Sequence, residues 1–203
     1  KLVAWAKTYE VGVVSDLAYG ALGYQGYENP SFLSTPGAKD VGIEFYTFSK
    51  TFNMAGWRLA FAAGNEQMIE ALNLIQDHLF VGIFPALQEA GIAALLNPNS
   101  EEAVAQLNAT YDSRRDAFVQ AAAKIGWQAF PSRGSFYAWM PVPEGYTSES
   151  FADLLLEKAH VAVAPGKGFG PAGDAYVRIG LLVEPERLVE AVNRIANLHL
   201  FNN

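Results

Sequence analysis

YTFSKTFNMAGWR, residues 46–58, sets a lysine directly behind an aromatic, hydroxyl-rich run, with an arginine eight positions later and no charged residue between them. Phe45, Tyr46 and Phe48 precede Lys50, and Thr47 and Ser49 alternate with them. Read by its alternation and aromatic content, IEFYTFS (43–49) is a strand, which puts Lys50 at a strand end. A solvated lysine usually has charged or small polar neighbours. Apolar neighbours desolvate an ammonium and favour the neutral amine, a competent nucleophile toward an aldehyde. Thr47 and Ser49 offer hydroxyl donors, and Arg58 offers a planar fork that matches phosphate geometry. Taken singly, each of these residues has an ordinary explanation as a surface charge, a cap or a packing residue.

Outward from that stretch, EVGVVSD (10–16) is a short β-branched run closed by a carboxylate and reads as a buried parallel strand. Asp16 then stands at the carboxyl edge, where open α/β sheets bind their ligands. Tyr19 follows three residues later. Leu17 to Gly42 is rich in Gly, Tyr and Pro and is too irregular for a regular element. WRLAFAAG (57–64) reads as a third strand. NEQMIEALNLIQDHL (65–79) reads as a helix opened by an Asn cap, with Met68, Leu72 and Ile75 on one face. Residues 86–96 form another apolar helix.

NPNS (97–100) is the clearest breaker and marks the expected domain boundary, giving domains 1–97 and 98–203. A long amphipathic helix is expected over 101–125. Strands at 127–130 and 135–140, a helix at 149–159, a short strand at 161–164, a glycine loop at 165–173, a strand at 176–182 and a closing helix over 185–199 follow. Pro185 suits the first turn of that last helix. The opening, KLVAWAKTYE, reads as a helix already under way, and we expect the chain to be the C-terminal portion of a longer protein.

Composition limits the function classes. The chain has 203 residues, 51% of them apolar and 17% charged, with a net charge of −7, which is an ordinary globular balance. With no basic stripe interleaved with aromatics, no nucleic-acid partner is expected. The absence of Cys removes disulfides, thiolate zinc sites and a cysteine nucleophile, and it fits a cytoplasmic location. His78, His160 and His199 are far apart and lack ligand spacing, so no metal is expected. The apolar stretch Leu79 to Leu96 contains Pro85, Gln88 and Glu89 and reads as a helix-rich segment, not a membrane span. GKGFGPAG (166–173) is not a nucleotide loop, because Pro171 falls where a third glycine is needed and no G-K-[ST] follows.

The combination carries more than its members. It comprises a carboxylate at one strand end, a tyrosine three residues on, a lysine 34 residues after the carboxylate, a hydroxyl at Lys−3 and an arginine at Lys+8. This pattern resembles the pyridoxal-phosphate enzymes of fold type I, and SKTFNMAGWR is similar to the lysine motif of the class I/II aminotransferases, the aspartate aminotransferase-like group. PSRGSFYAWM (131–140) resembles that family's small-domain strand. VAPGKGFGPAGDAYVRIGL (163–181) resembles its loop and strand bearing the arginine for the substrate carboxylate, here Arg178.

The resemblance implies an α/β fold: the C-terminal part of the large pyridoxal-phosphate-binding domain, followed by a smaller α+β domain. It further implies that Lys50 holds pyridoxal 5'-phosphate covalently and shuttles the substrate proton. Asp16 would pair with the ring nitrogen and Tyr19 with the phenolic oxygen. Thr47, Ser49 and Arg58 would anchor the phosphate, and Arg178 would clamp the substrate's α-carboxylate. Thr47 stands where many relatives have Ser, and the hydroxyl is kept. The implied activity is transamination between an amino acid and a 2-oxo acid, in a homodimer, with texture near the LL-diaminopimelate and methionine-salvage transaminases. The resemblance covers about half of such an enzyme. The amides, stacking aromatic and asparagine that complete the family's site are expected outside these residues, so the isolated piece is expected to be inactive. Two alternatives share the same residues: a carbon–sulfur β-lyase, and the effector domain of an aminotransferase-like transcription regulator.

Overall fold

Strand-forming residues at 13–16, 42–47 and 60–64 assemble one three-stranded sheet. Val13–Asp16 (β1) runs parallel to Gly42–Thr47 (β2), with Asp16 opposite Phe45. Ala60–Gly64 (β3) pairs antiparallel on the other side of β2, with Thr47 opposite Ala60. This geometry comes from a computed structural model that describes residues 1–130 and 132–201. The α/β class expected from the sequence is the one observed.

Leu2–Tyr9 (α1) precedes the sheet, and Glu66–Ile75 (α3) and Pro85–Leu96 (α4) follow it. Asn65 caps α3, its side chain accepting the Met68 amide at 3.1 Å, which supplies one of the helix's orphan donors with a partner. The expected third strand at 57–64 starts later. Ala55–Trp57 is a 3-10 turn and Arg58 takes a left-handed conformation (φ 54°), so the ladder begins only at Ala60. Lys50 also differs from its expected place at a strand end. The strand stops at Thr47, and Phe48–Thr51 makes a single helical turn (α2). Thr47 causes the switch, because its Oγ1 accepts the Ser49 amide at 3.1 Å and so caps the turn.

The chain divides into two compact units, Lys1–Leu107 and the part from Asn108 onward, with the division inside Ser100–Lys124 (α5). The second unit has its own sheet. Tyr176–Gly180 (β6) lies between Tyr137–Pro141 (β4) and Ala164–Pro165 (β5), antiparallel to both. Ser148–Leu154 (α6) and Pro185–Ala196 (α7) complete it, with Pro185 at the helix start. The strand expected at 127–130 forms no ladder. Among the described residues its backbone tie to β4 is the bond from the Phe130 amide to the Trp139 carbonyl at 3.0 Å. Pro131, first residue of the PSRGSFYAWM string, lies outside the described residues. No helix among the described residues is long and apolar enough to cross a membrane.

Alternation on β4 and β6 buries Ala138, Met140, Val177 and Ile179 and turns Tyr137, Trp139, Tyr176 and Arg178 to the other face. Trp127 sits in the resulting core at 1% exposure. It meets Phe118 and Phe151 edge-on at 6.2 and 5.9 Å, and its indole N–H donates to the Pro141 carbonyl at 2.8 Å. Trp127→Ala removes the ring and strands that carbonyl. We expect a loss of about 3–5 kcal/mol, read as a lower urea midpoint for this unit.

Candidate active site

Parallel pairing of β1 with β2, and the antiparallel return of β3, deliver three chain segments to one sheet edge. Asp16 ends β1, Thr47 to Lys50 follow β2, and Arg58 and Leu59 lead into β3. Six of the seven residues singled out in the sequence therefore belong to one edge of the first unit: Asp16, Tyr19, Thr47, Ser49, Lys50 and Arg58. This is the carboxyl edge of the two parallel strands, the ligand-binding side of open α/β sheets.

Asp16 is exposed, and its Oδ1 accepts the Ala18 amide at 3.2 Å, which starts the turn that brings Tyr19 round. Tyr19 is half-buried. Lys50, also half-buried, holds its Nζ 5.8 Å from the Tyr19 ring centroid. The hydroxyls of Thr47 and Ser49 lie 2.9 Å apart, and the Thr47 oxygen is 3.3 Å from the Leu59 carbonyl, a link across to the β3 side. Arg58 is exposed, and one Nη donates to the Ala55 carbonyl at 2.9 Å. On the same segment, the Tyr46 hydroxyl donates to Thr51 Oγ1 at 2.7 Å. Burial raises the Tyr46 phenol above its ordinary value, against a smaller lowering by that bond.

Two residues that the sequence reading passed over hold the irregular segment 17–42 in place. Glu44 is buried at 7% exposure and accepts from Ser15 Oγ at 3.0 Å, Ser31 Oγ at 2.6 Å and the Phe32 amide at 2.6 Å. The Asn29 side-chain NH2 reaches the carbonyls of Tyr19, Gly20 and Leu22 at 3.0, 3.3 and 3.1 Å. Glu44 was detectable in principle, being the one charge inside the otherwise apolar run IEFYTF. Nothing in Asn29's local sequence distinguishes it from a turn former. Glu44→Gln keeps the shape but turns one acceptor oxygen into a donor facing donors. Bonds to a charged acceptor are worth roughly 1.5–3 kcal/mol each, so we expect a loss on the order of 2 kcal/mol and faster proteolysis within 17–42.

Arg178 lies on β6 of the second unit, opposite Trp139. Its guanidinium carbon stands over the Tyr137 ring at 4.1 Å and over the Phe169 ring at 4.4 Å. The glycine loop that carries Phe169 is two short 3-10 turns, Gly166–Phe169 and Pro171–Ala175. A Cβ on Gly166 or on Gly173 would sit 2.1 Å from the other's carbonyl oxygen, so close backbone approach explains these glycines. Asp174 Oδ1 accepts the Ser148 hydroxyl at 2.7 Å and the Ser148 amide at 3.1 Å, which holds its carboxyl below the usual value.

The first unit's sheet edge thus carries an amine, a carboxylate, a phenol, two hydroxyls and a guanidinium, and the second unit's sheet carries an aromatic-flanked arginine. The sequence profile of aminotransferase class I and II matches residues 1–195, and the chain belongs to that family. It is 58% identical over 199 residues to the L-glutamine–4-(methylsulfanyl)-2-oxobutanoate aminotransferase of Bacillus subtilis, covering 98% of this chain and 50% of that protein. It is 46% identical to the LL-diaminopimelate aminotransferase of Aquifex aeolicus, covering 98% of this chain and 51% of the relative. Among solved structures, substrate-bound BacF from Bacillus subtilis superposes with a TM-score of 0.93 at 45% identity, over 98% of this chain and 51% of that one. The chain thus spans about half the length of the relatives it matches.

Proposed function

We propose that the protein is a pyridoxal-phosphate-dependent transaminase that takes the amino group of L-glutamine to 4-(methylsulfanyl)-2-oxobutanoate. The observation carrying this reading is the convergence of Asp16, Tyr19, Lys50 and Arg58 on one sheet edge of an aminotransferase-family chain. The choice of substrates rests on the 58% identity to the relative named for them, against 41–46% for LL-diaminopimelate aminotransferases. Homodimer formation and a cytoplasmic location belong to the same proposal.

The donor set fits the cofactor group by group. An amine suits an aldehyde, a carboxylate suits a ring N–H, and a phenol suits a phenolic oxygen. Two hydroxyls and a guanidinium suit a phosphate. Bound there, pyridoxal phosphate supplies an aldehyde that captures amines and a ring that withdraws electrons from the neighbouring carbon. The chain's residues do the rest. Lys50 Nζ would hold the aldehyde carbon until the substrate's own amine takes its place, and the freed Nζ would then accept the proton from the substrate's Cα and give it back on the cofactor side. Asp16 keeps a proton on the ring nitrogen, and Tyr19 donates to the phenolic oxygen. Thr47, Ser49 and Arg58 hold the phosphate, and Arg178 orients the substrate through its carboxylate.

The test is spectroscopic. The full-length protein loaded with pyridoxal phosphate should show a visible absorption band that L-glutamine bleaches and 4-(methylsulfanyl)-2-oxobutanoate restores. A loaded protein that turns over LL-diaminopimelate and ignores this pair would overturn the substrate assignment. A protein that takes up no cofactor would overturn the reaction itself.

A further inference from the structure

A half-buried arginine normally has an acidic partner or backbone acceptors. The Arg178 guanidinium makes no hydrogen bond or ion pair among the described residues, and the rings of Tyr137 and Phe169 lie against it. By contrast, Arg114, Arg115, Arg187 and Arg194 in the same unit all pair with carboxylates. The two rings reach Arg178 from different elements. Tyr137 is its diagonal neighbour on β4, and Phe169 comes down from the glycine loop. Phe169 is itself located by Trp139, edge-on at 5.7 Å, and Trp139 by Tyr176, stacked at 5.4 Å. The loop behind Phe169 is pinned by the Gly166–Gly173 approach and by Ser148 on Asp174.

We infer that Tyr137 and Phe169 form an aromatic clamp that presets Arg178 for a planar carboxylate and selects against tetrahedral acids. The inference rests on the reading of Arg178 as the carboxylate anchor. A ring face attracts the cation without consuming its N–H donors. The guanidinium is therefore oriented with its five donors unspent, and no acidic side chain competes with the ligand. With a ring face 4.1 Å and another 4.4 Å from its central carbon, the clamp leaves the guanidinium edge as the approach for a ligand. A carboxylate lies flat there and binds bidentately. A phosphonate or sulfonate carries an oxygen out of that plane, toward a ring. Tyr137 and Phe169 are positioning residues that act through Arg178, and the GKGFGPAG loop is the bracket for one jaw.

The experiment uses the cofactor-loaded full-length protein and two probes, maleate and methylphosphonate, whose dissociation constants are read from the change in visible absorbance. KM for L-glutamine is measured alongside. In the wild type, maleate should bind and methylphosphonate should bind at least tenfold more weakly. Phe169→Leu, at a position 53% exposed and so tolerant of change, should weaken maleate roughly tenfold, raise KM similarly and narrow the gap between the probes. Tyr137→Leu should act in the same direction. Phe169→Tyr and Tyr137→Phe keep a ring face and should stay within about twofold of wild type, a rescue that loss of packing alone does not predict. Arg178→Ala separates the two layers. If it weakens maleate while both leucine variants leave affinity and selectivity untouched, the clamp is wrong and the anchor stands. If Arg178→Ala itself leaves maleate unaffected, the anchor reading fails, and the clamp with it.

Discussion

Lys50→Ala is expected to abolish the covalent capture of pyridoxal phosphate. Borohydride treatment of the loaded wild type should leave one reduced adduct on the peptide containing Lys50, and the variant should leave none. Turnover should fall by at least the 10²–10⁴-fold that a positioned proton-transfer group contributes. The geometry keeps this test specific. Lys50 lies on the single turn α2, whose start is fixed by Thr47 and whose buried residues are Phe48 and Thr51. Alanine is a good helix former there and disturbs neither, so stability should hold while chemistry is lost. Lys50→Arg makes the argument sharper. It preserves a cation near the Tyr19 ring, but a guanidinium cannot be deprotonated in a protein and so cannot act as nucleophile or base. Arginine should therefore be as inactive as alanine. A borohydride-stable adduct surviving in either variant at wild-type stoichiometry would mean that another lysine carries the cofactor.

That lysine was legible because its neighbours are local in sequence. Thr47, Ser49 and Arg58 fall within a dozen residues of it, and the same short stretch that displays them folds as one edge of the sheet. Asp16 was legible for a related reason, since a carboxylate closing a β-branched run marks a strand's end whichever strand lies beside it. The helix starts were equally readable, at Asn65 by its cap and at Pro185 by its missing N–H. What could not be read depends on pairings distant along the chain. Glu44 looks like a strand surface charge until β1 and segment 29–34 converge on it. Phe169 looks like a loop residue until antiparallel pairing of β5 with β6 brings its turn back toward Arg178. The exact end of β2 was misread for another reason. Thr47 has the β-branched shape of a strand former and the hydroxyl of a helix cap, and the cap won.

Arg178→Ala should produce the other large effect, and it should appear in KM. Two hydrogen bonds from a guanidinium to a carboxylate, each worth roughly 1.5–3 kcal/mol, amount to about a hundredfold or more in affinity. Arg178 belongs to a different sheet from Asp16 and Lys50, so cofactor capture should survive the substitution, with the borohydride adduct unchanged. Arg178→Lys should recover only part of the loss, because an ammonium offers a point charge where a fork is needed. A thermodynamic cycle isolates the interaction. An amine donor lacking the α-carboxylate, 4-aminobutanamide, should react with wild type as poorly as L-glutamine reacts with Arg178→Ala. The substitution should cost that donor little further. If the alanine variant instead penalises both donors equally, Arg178 supports the fold of the second sheet and does not touch substrate. Unchanged KM for L-glutamine would remove it from the site altogether. The expected asymmetry between the two donors is the signature that neither of those outcomes can imitate.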